Sequence, residues 1–201
     1  MNFLTNMVIV EKQIWHIHDS ESTGFSRKEK LLNLVWRLIE ILLFRTSPQV
    51  FSKWRVALLR GFGAKIGKNC YISNRATVMN PWNITIGDNC GVDDYVFLKG
   101  GAKIVIGNNV SIGAYAKIIP GGHDVRTRNF RHVGKQITIG NGVFIGADAF
   151  IGSGVKIGTM AVVGARTSVF KDVPENTIIT QKLEYKTIKR LSDDEYESFS
   201  F

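Results

Sequence analysis

The residues best placed for chemistry sit together. Pro120-Gly121-Gly122-His123-Asp124 opens a stretch that also carries Arg126, Arg128, Arg131, His132 and Lys135. Imidazole is the side chain whose ordinary pKa lies closest to neutrality, so His123 is a candidate general base for a hydroxyl or amine. The chain has four histidines, and His16 and His18 lie in a weakly patterned N-terminus. A lone histidine is more often structural than catalytic; the setting is what favours His123. Asp124 is the adjacent candidate for orienting the ring, although neighbouring side chains diverge in extended backbone. A backbone carbonyl or an acid from a neighbouring subunit would serve equally. Asp93 and Asp94 occupy outward places and suit the hydroxyls of a bound acceptor, or simply a solvated surface.

The setting is a repeat. Ile66, Ile72 and Val78 begin a ladder in which every sixth residue is aliphatic, and it ends at Ile157, Val163 and Val169. Gly follows the aliphatic residue at many steps, for example Gly67, Gly87, Gly107, Gly146 and Gly164, and a small or slender residue sits four places on. A period of six fits neither an amphipathic helix nor an alternating strand. It is the signature of a parallel β-helix built from hexapeptides. Fifteen hexapeptides make about five coils of three faces.

The breaks in the ladder are as informative as the ladder. Two extra residues follow Val78's hexapeptide, two more follow Leu98's, and fifteen follow Ile118's. All three fall after the third face, so all emerge at one edge of the prism. The long segment 124–138 is therefore expected as a functional protrusion, with His123 at its root.

Three regions follow: an N-terminal helical segment 1–62, the β-helix 63–174, and a short C-terminal extension 175–201. Ser26 and Glu29 form a candidate capping box for a helix over about 27–45. Its polar interior residues Asn33, Arg37 and Glu40 make one narrow stripe, and the rest is broadly apolar. The helix either packs on the β-helix or a neighbouring subunit, or lies in a membrane interface, with Arg27, Lys28, Lys30 and Arg45 near its ends. A second short helix is expected over 48–60, with Trp54, Leu58 and Leu59 on one side. No signal peptide and no apolar window of spanning length is visible, so the expected location is cytoplasmic, at most at the inner face of the membrane.

The net charge of +9 fits a membrane surface or an anionic ligand. Nucleic acid is disfavoured because no recognition helix or RNA-binding motif accompanies the charge. Cys70 and Cys90 fall one coil apart and read as two small buried thiols in a reducing compartment rather than a disulfide. A metal hydratase on this scaffold would need three histidine ligands, and only His123 and His132 are available, so no metal is expected. A flat threonine ladder of the ice-binding kind is absent.

The chain resembles the left-handed β-helix acyltransferases of the hexapeptide-repeat class. More closely, Leu58-Leu59-Arg60-Gly61-Phe62-Gly63-Ala64-Lys65-Ile66-Gly67, Asn80-Pro81-Trp82-Asn83, Gly122-His123-Asp124, Val163-Gly164-Ala165-Arg166 and Lys171-Asp172-Val173-Pro174 are similar to the acetyltransferases of colanic acid and related exopolysaccharide biosynthesis. The resemblance implies a homotrimer that transfers acetyl from acetyl-CoA to a sugar or lipid-linked saccharide. It makes His123 the base and backbone N–H groups the oxyanion donors. It also implies that the coenzyme lies between adjacent prisms, meeting backbone at Ala147 and Ala165, packing on Phe144, and offering its phosphates to Arg166, Lys171 and Lys186. N-acetylation of an amino sugar, or a non-enzymatic membrane-attached β-helix, are the rival readings. The pattern is departed from at 180–186, where relatives carry Ala-Gly-Asn-Pro-Ala-Lys, and at Phe170.

Overall fold

The computed structural model describes residues 27–124 and 132–182. Short parallel strands wind into a left-handed β-helix with three faces. The first face stacks Lys65–Ile66, Ile84–Ile86, Ile104–Ile106, Ile137–Ile139 and Lys156–Ile157. The second stacks Tyr71–Ile72, Gly91–Val92, Ser111–Ile112, Phe144–Ile145, Val162–Val163 and Ile178–Ile179. The third stacks Thr77–Met79, Phe97–Lys99, Lys117–Ile118, Phe150–Ile151 and Ser168–Val169.

The six-residue ladder is the interior. Ile66, Ile86, Ile106, Ile139 and Ile157 stand in one column, each in register with the next. The other two faces have equivalent columns, and these aliphatic residues are buried. Each such side chain contributes about 1.5–3 kcal/mol by leaving water. The glycine after the aliphatic residue answers a steric demand: a Cβ on Gly146 would stand 2.5 Å from the amide nitrogen of Ala165 in the next coil.

Three features differ from the sequence expectation, each for a local reason. The insertions do emerge between the third and first faces, but the residues before each restart lengthen the first-face strand. Ile84, Ile104 and Ile137 turn inward as second core residues and pair with one another. The segment 124–138 is accordingly not irregular throughout: Gly121–His123 pairs antiparallel with His132–Gly134 before the chain rejoins the first face. At the other end the coil continues past Pro174. Val173 bridges to Ile157 and Ile178–Ile179 pairs with Val162–Val163. The step from Val169 to Val173 is four residues rather than six, which takes these residues out of the six-residue count.

The N-terminal segment closes the first coil. Helix α1 (Arg27–Ile39) continues into a π-helical turn (Glu40–Phe44), and helix α2 covers Ser52–Gly61. The proposed cap Ser26 lies outside the described residues. Three side chains take the exposed edge carbonyls of the three faces. Arg60 donates to Ile66 O at 3.0 and 2.7 Å, Arg55 Nε to Ile72 O at 2.7 Å, and Trp36 Nε1 to Val78 O at 2.6 Å. Arg55 is fully buried, also donating to Ser47 Oγ and the carbonyls of Pro48 and Gln49, and burial pulls its pKa down. Trp54, expected on the same side as Leu58 and Leu59, is exposed, whereas Leu59 is buried and Leu58 partly so.

The polar stripe of α1 faces the β-helix. Asn80 Nδ2 donates to Asn33 Oδ1 at 3.1 Å. Glu40 is fully buried and meets Arg37 at 3.0 Å and Arg45 at 3.4 Å. Trp36 and Phe44 share that side, with ring centroids 6.0 Å apart. Cys70 and Cys90 are free thiols one coil apart, and their Sγ atoms donate to Gly87 O and Gly107 O, each at 3.1 Å.

Candidate active site

His123 ends the strand that leaves the third-face/first-face edge in the third coil. The sequence places it there, and the ribbon adds a partner that spacing alone did not reveal. His132 lies directly across from it, and the two imidazoles meet edge to face with centroids 5.5 Å apart. The His132 ring also lies over Gly121, where a Cβ would come within 3.2 Å of Nε2. Partial desolvation, then the neighbouring His123 and Lys99, hold His132 below the ordinary histidine value, so its ring stays neutral near pH 7. The ribbon is anchored on the next coil. Ser153 Oγ donates to Pro120 O at 2.7 Å and accepts from Lys135 N at 3.0 Å. His123 itself is exposed, open to a substrate, and Asp124 is half-buried beside it.

The other expected site residues gather elsewhere. Phe144 is exposed on the second face, and Ala147, Ala165 and Arg166 lie at the corner between the second and third faces. At that corner the Ala147 carbonyl already accepts from Arg166 N at 2.8 Å. Among the described residues the amides of Ala147 and Ala165 make no such bond, which leaves the N–H of each for a ligand. Arg166 also faces Asp148, with Nε 3.8 Å from Oδ2. Lys171 is exposed at the opposite edge, the one that carries His123. Lys186 lies outside the described residues.

Asp93 and Asp94 belong to the same second/third corner, in the second coil. Asp94 is engaged within the fold. It accepts a short hydrogen bond from Ser73 Oγ and meets Arg75 Nη1 at 2.8 Å. The Ser73 hydroxyl, and after it Arg75, hold the carboxyl below its usual range against partial desolvation. Asp93 is exposed, and its Oδ1 accepts from Asp94 N at 2.7 Å.

Two features of the surface were missed by residue-type reasoning. Tyr95 and Tyr115 stack on this corner with centroids 4.8 Å apart, and both have positive φ, 60° and 65°. The signal was present: the third place after the aliphatic residue is left-handed throughout the first/second corner and, from the second coil on, at the second/third corner. Asn, which tolerates that region, fills it at 69, 89 and 109. Tyr95, Tyr115, Asp148, Met160 and Arg166 are the departures among the non-glycine residues there. The second feature is a groove of about 370 Å³ on the first face beside the insertion edge, lined by Lys65, Trp82, Asn83, Thr85, Lys103 and Gln136 among others. Among the described residues no cluster of three metal-ligating side chains occurs.

Comparison with known proteins fits this geometry. Residues 63–93 and 136–170 match the family described as hexapeptide repeat of succinyl-transferase. The chain is 38% identical over 155 residues, 77% of its length and 85% of the relative's, to an Escherichia coli K12 protein, WcaF, whose name provisionally makes it a colanic acid biosynthesis acetyltransferase. The chain belongs to the hexapeptide-repeat acetyltransferases. Among solved members, a hexapeptide-repeat acetyltransferase from Vibrio cholerae, complexed with acetyl coenzyme A, superposes with a TM-score of 0.73 at 27% identity, covering 79% of this chain and 86% of that one. A maltose O-acetyltransferase from Clostridium difficile 630 gives 0.69 at 27% identity, covering 79% and 87%. As a hexapeptide-repeat acetyltransferase the chain has its longest insertion where an imidazole is exposed, and its outward amides on a different corner.

Proposed function

We propose that this acetyltransferase moves the acetyl group of acetyl-CoA to a hydroxyl of a sugar or polysaccharide precursor, with His123 as general base. The observation that carries the reading is the exposed imidazole at the root of the only long insertion, in a family whose members act on acetyl-CoA and sugars. His123 takes the hydroxyl proton as the oxygen attacks the thioester carbon. Backbone N–H groups hold the tetrahedral oxyanion. As the C–S bond breaks, the imidazolium returns its proton to the departing sulfur, leaving an ester and free coenzyme A. The neutral His132 ring limits the rotation of His123 without adding charge beside the imidazolium. Asp124, which follows His123 in the chain, is the carboxylate proposed to stabilise that cation.

The coenzyme is proposed to run along the second/third corner, its pantetheine accepting from the amides of Ala147 and Ala165, its body against Phe144, its phosphates toward Arg166. Lys171 and Lys186 are proposed further contacts for the phosphates. Asp93 is the proposed acceptor contact; Asp94 acts chiefly through Ser73 and Arg75. Because His123 and the coenzyme corner lie on different edges of one prism, a groove with both walls needs two prisms. A homotrimer supplies three such grooves. The cytoplasm, where acetyl-CoA is available, is the proposed compartment. The test is acetyl-CoA consumption against a panel of free and lipid-linked saccharides, with mass spectrometry of the product. Turnover that yields an ester on a sugar hydroxyl is the expected result. Acetylation of amino groups alone, or none with any acceptor, overturns it.

A further inference from the structure

Helix α1 is amphipathic the wrong way round. Asn33 and Glu40 of its polar stripe are packed, with Arg37 half-exposed over Glu40, and its apolar side faces outward along the whole element. Leu31, Leu34, Leu38 and Leu42, spaced by three and four residues, are 62, 59, 52 and 62% exposed. The surface does not stop at the helix. Val50, Phe51 and Trp54 are exposed as well, and Leu43, Pro48, Phe51 and Trp54 line an open groove where the π turn meets α2. Trp54 Nε1 donates to Leu43 O at 3.3 Å, which ties the two parts together. Single exposed apolar residues are ordinary, whereas a continuous patch rimmed by polar residues marks an interaction surface.

The charge around this patch selects the partner. Between residues 27 and 62 the chain has eight basic and two acidic side chains, so most of its net charge of +9 is concentrated there. Glu40 is buried against Arg37 and Arg45. Arg27, Lys28, Lys30, Lys53 and Arg60 are exposed. A second copy docked by two-fold symmetry would bring like charge onto like charge. An apolar face with a cationic rim instead matches the boundary between acyl chains and anionic headgroups. No described helix is long and apolar enough to cross a membrane, so the element lies on the surface.

We propose that the outer face of α1 and its π turn, extended by Val50, Phe51 and Trp54, docks the enzyme onto an anionic phospholipid bilayer. Docking also orients the reactive edge. Trp36 and Asn33 hold α1 against Val78 and Asn80, at the third face and insertion edge of the first coil. His123 leaves that same edge two coils further on, about 10 Å along the axis at the usual strand spacing. Resting on the acetyltransferase reading, this favours a saccharide acceptor carried on a lipid at the same surface.

The experiment is flotation of the full chain with vesicles of phosphatidylcholine, alone or mixed with phosphatidylglycerol, with no substrate present, so its outcome is independent of catalysis. The full chain is expected to float with the anionic vesicles and to be released by high salt. Leu34→Ser combined with Leu38→Ser should abolish flotation while leaving the melting temperature and the acetyl-CoA thermal shift unchanged. Arg27→Gln, Lys28→Gln and Lys30→Gln together should weaken partition roughly tenfold or more. Absence of flotation with anionic vesicles, or equal flotation of the serine variant, overturns the proposal. So does dissociation of the oligomer by the serine variant without vesicles, which assigns the face to another subunit.

Discussion

Two of the prism's three long edges carry different kinds of residue. At the third/first edge the backbone departs from the coil three times, and the last departure carries His123 and His132 on a ribbon. At the second/third corner the backbone never departs, and the variety is in side chains: Tyr95, Tyr115, Asp148 and Arg166 stand at the left-handed place that Asn69, Asn89 and Asn109 take at the first/second corner. One edge therefore has reach and an imidazole; the other has a rigid column with outward amides. On the proposed function, the two edges would meet only between chains, one chain's His123 edge working against another chain's second/third corner.

The largest effect that tests this division is at His123. His123→Ala should lower kcat by roughly a hundred- to ten-thousand-fold while the acetyl-CoA thermal shift persists; turnover at the wild-type level would remove the base from the edge. Next is the opposite wall. Ala165→Trp fills the space beside the corner amide and should raise KM for acetyl-CoA about tenfold or more, with kcat far less affected. Co-expression of the two variants sharpens the comparison. Assayed at acetyl-CoA well below the raised KM, where both parent variants are nearly silent, randomly mixed trimers should regain about a quarter of wild-type turnover if each site takes one wall from each of two chains, because that share of sites has both walls intact. No recovery would place both walls in one chain.

The smallest effect concerns Asp94. Its folded pKa is depressed by Ser73 and Arg75, so its stabilisation is present above the unfolded carboxylate value near 3.9 and is lost as pH falls through the folded value. Asp94→Asn should lower Tm by about 1–3 °C at neutral pH, with the difference from wild type shrinking in acid. A raised acceptor KM with unchanged Tm would instead make this corner part of the acceptor site.

Much of this architecture was legible in residue order. The columns, the shared edge of the insertions and the position of His123 all follow from counting by six, because an interior three side chains wide tolerates only aliphatic residues at fixed places. What the count missed had other causes. The residues before each restart were read as protruding extras, yet Ile84, Ile104 and Ile137 are interior, since alternation within a three-residue strand turns its first residue inward as well as its last. The partial coil through Val173 and Ile179 was missed because one turn is two residues short. The orientation of α1 was not legible because hydropathy assigns the apolar face to the interior, whereas Asn33 and Glu40 have partners in the coil and in the helix itself. Asp94 was legible as a carboxylate but not as one engaged by a serine in the preceding coil.

The cap on the first coil has a consequence for solubility. A stack of parallel strands ends in open edges, and an open edge is a template for another chain to add to it. Here Arg60, Arg55 and Trp36 already occupy the carbonyls of Ile66, Ile72 and Val78, one on each face. The growing end of a would-be filament is thereby blocked three times over, by side chains rather than by a further coil. Loss of any one of the three should appear first as end-to-end aggregation, before any loss of the fold itself.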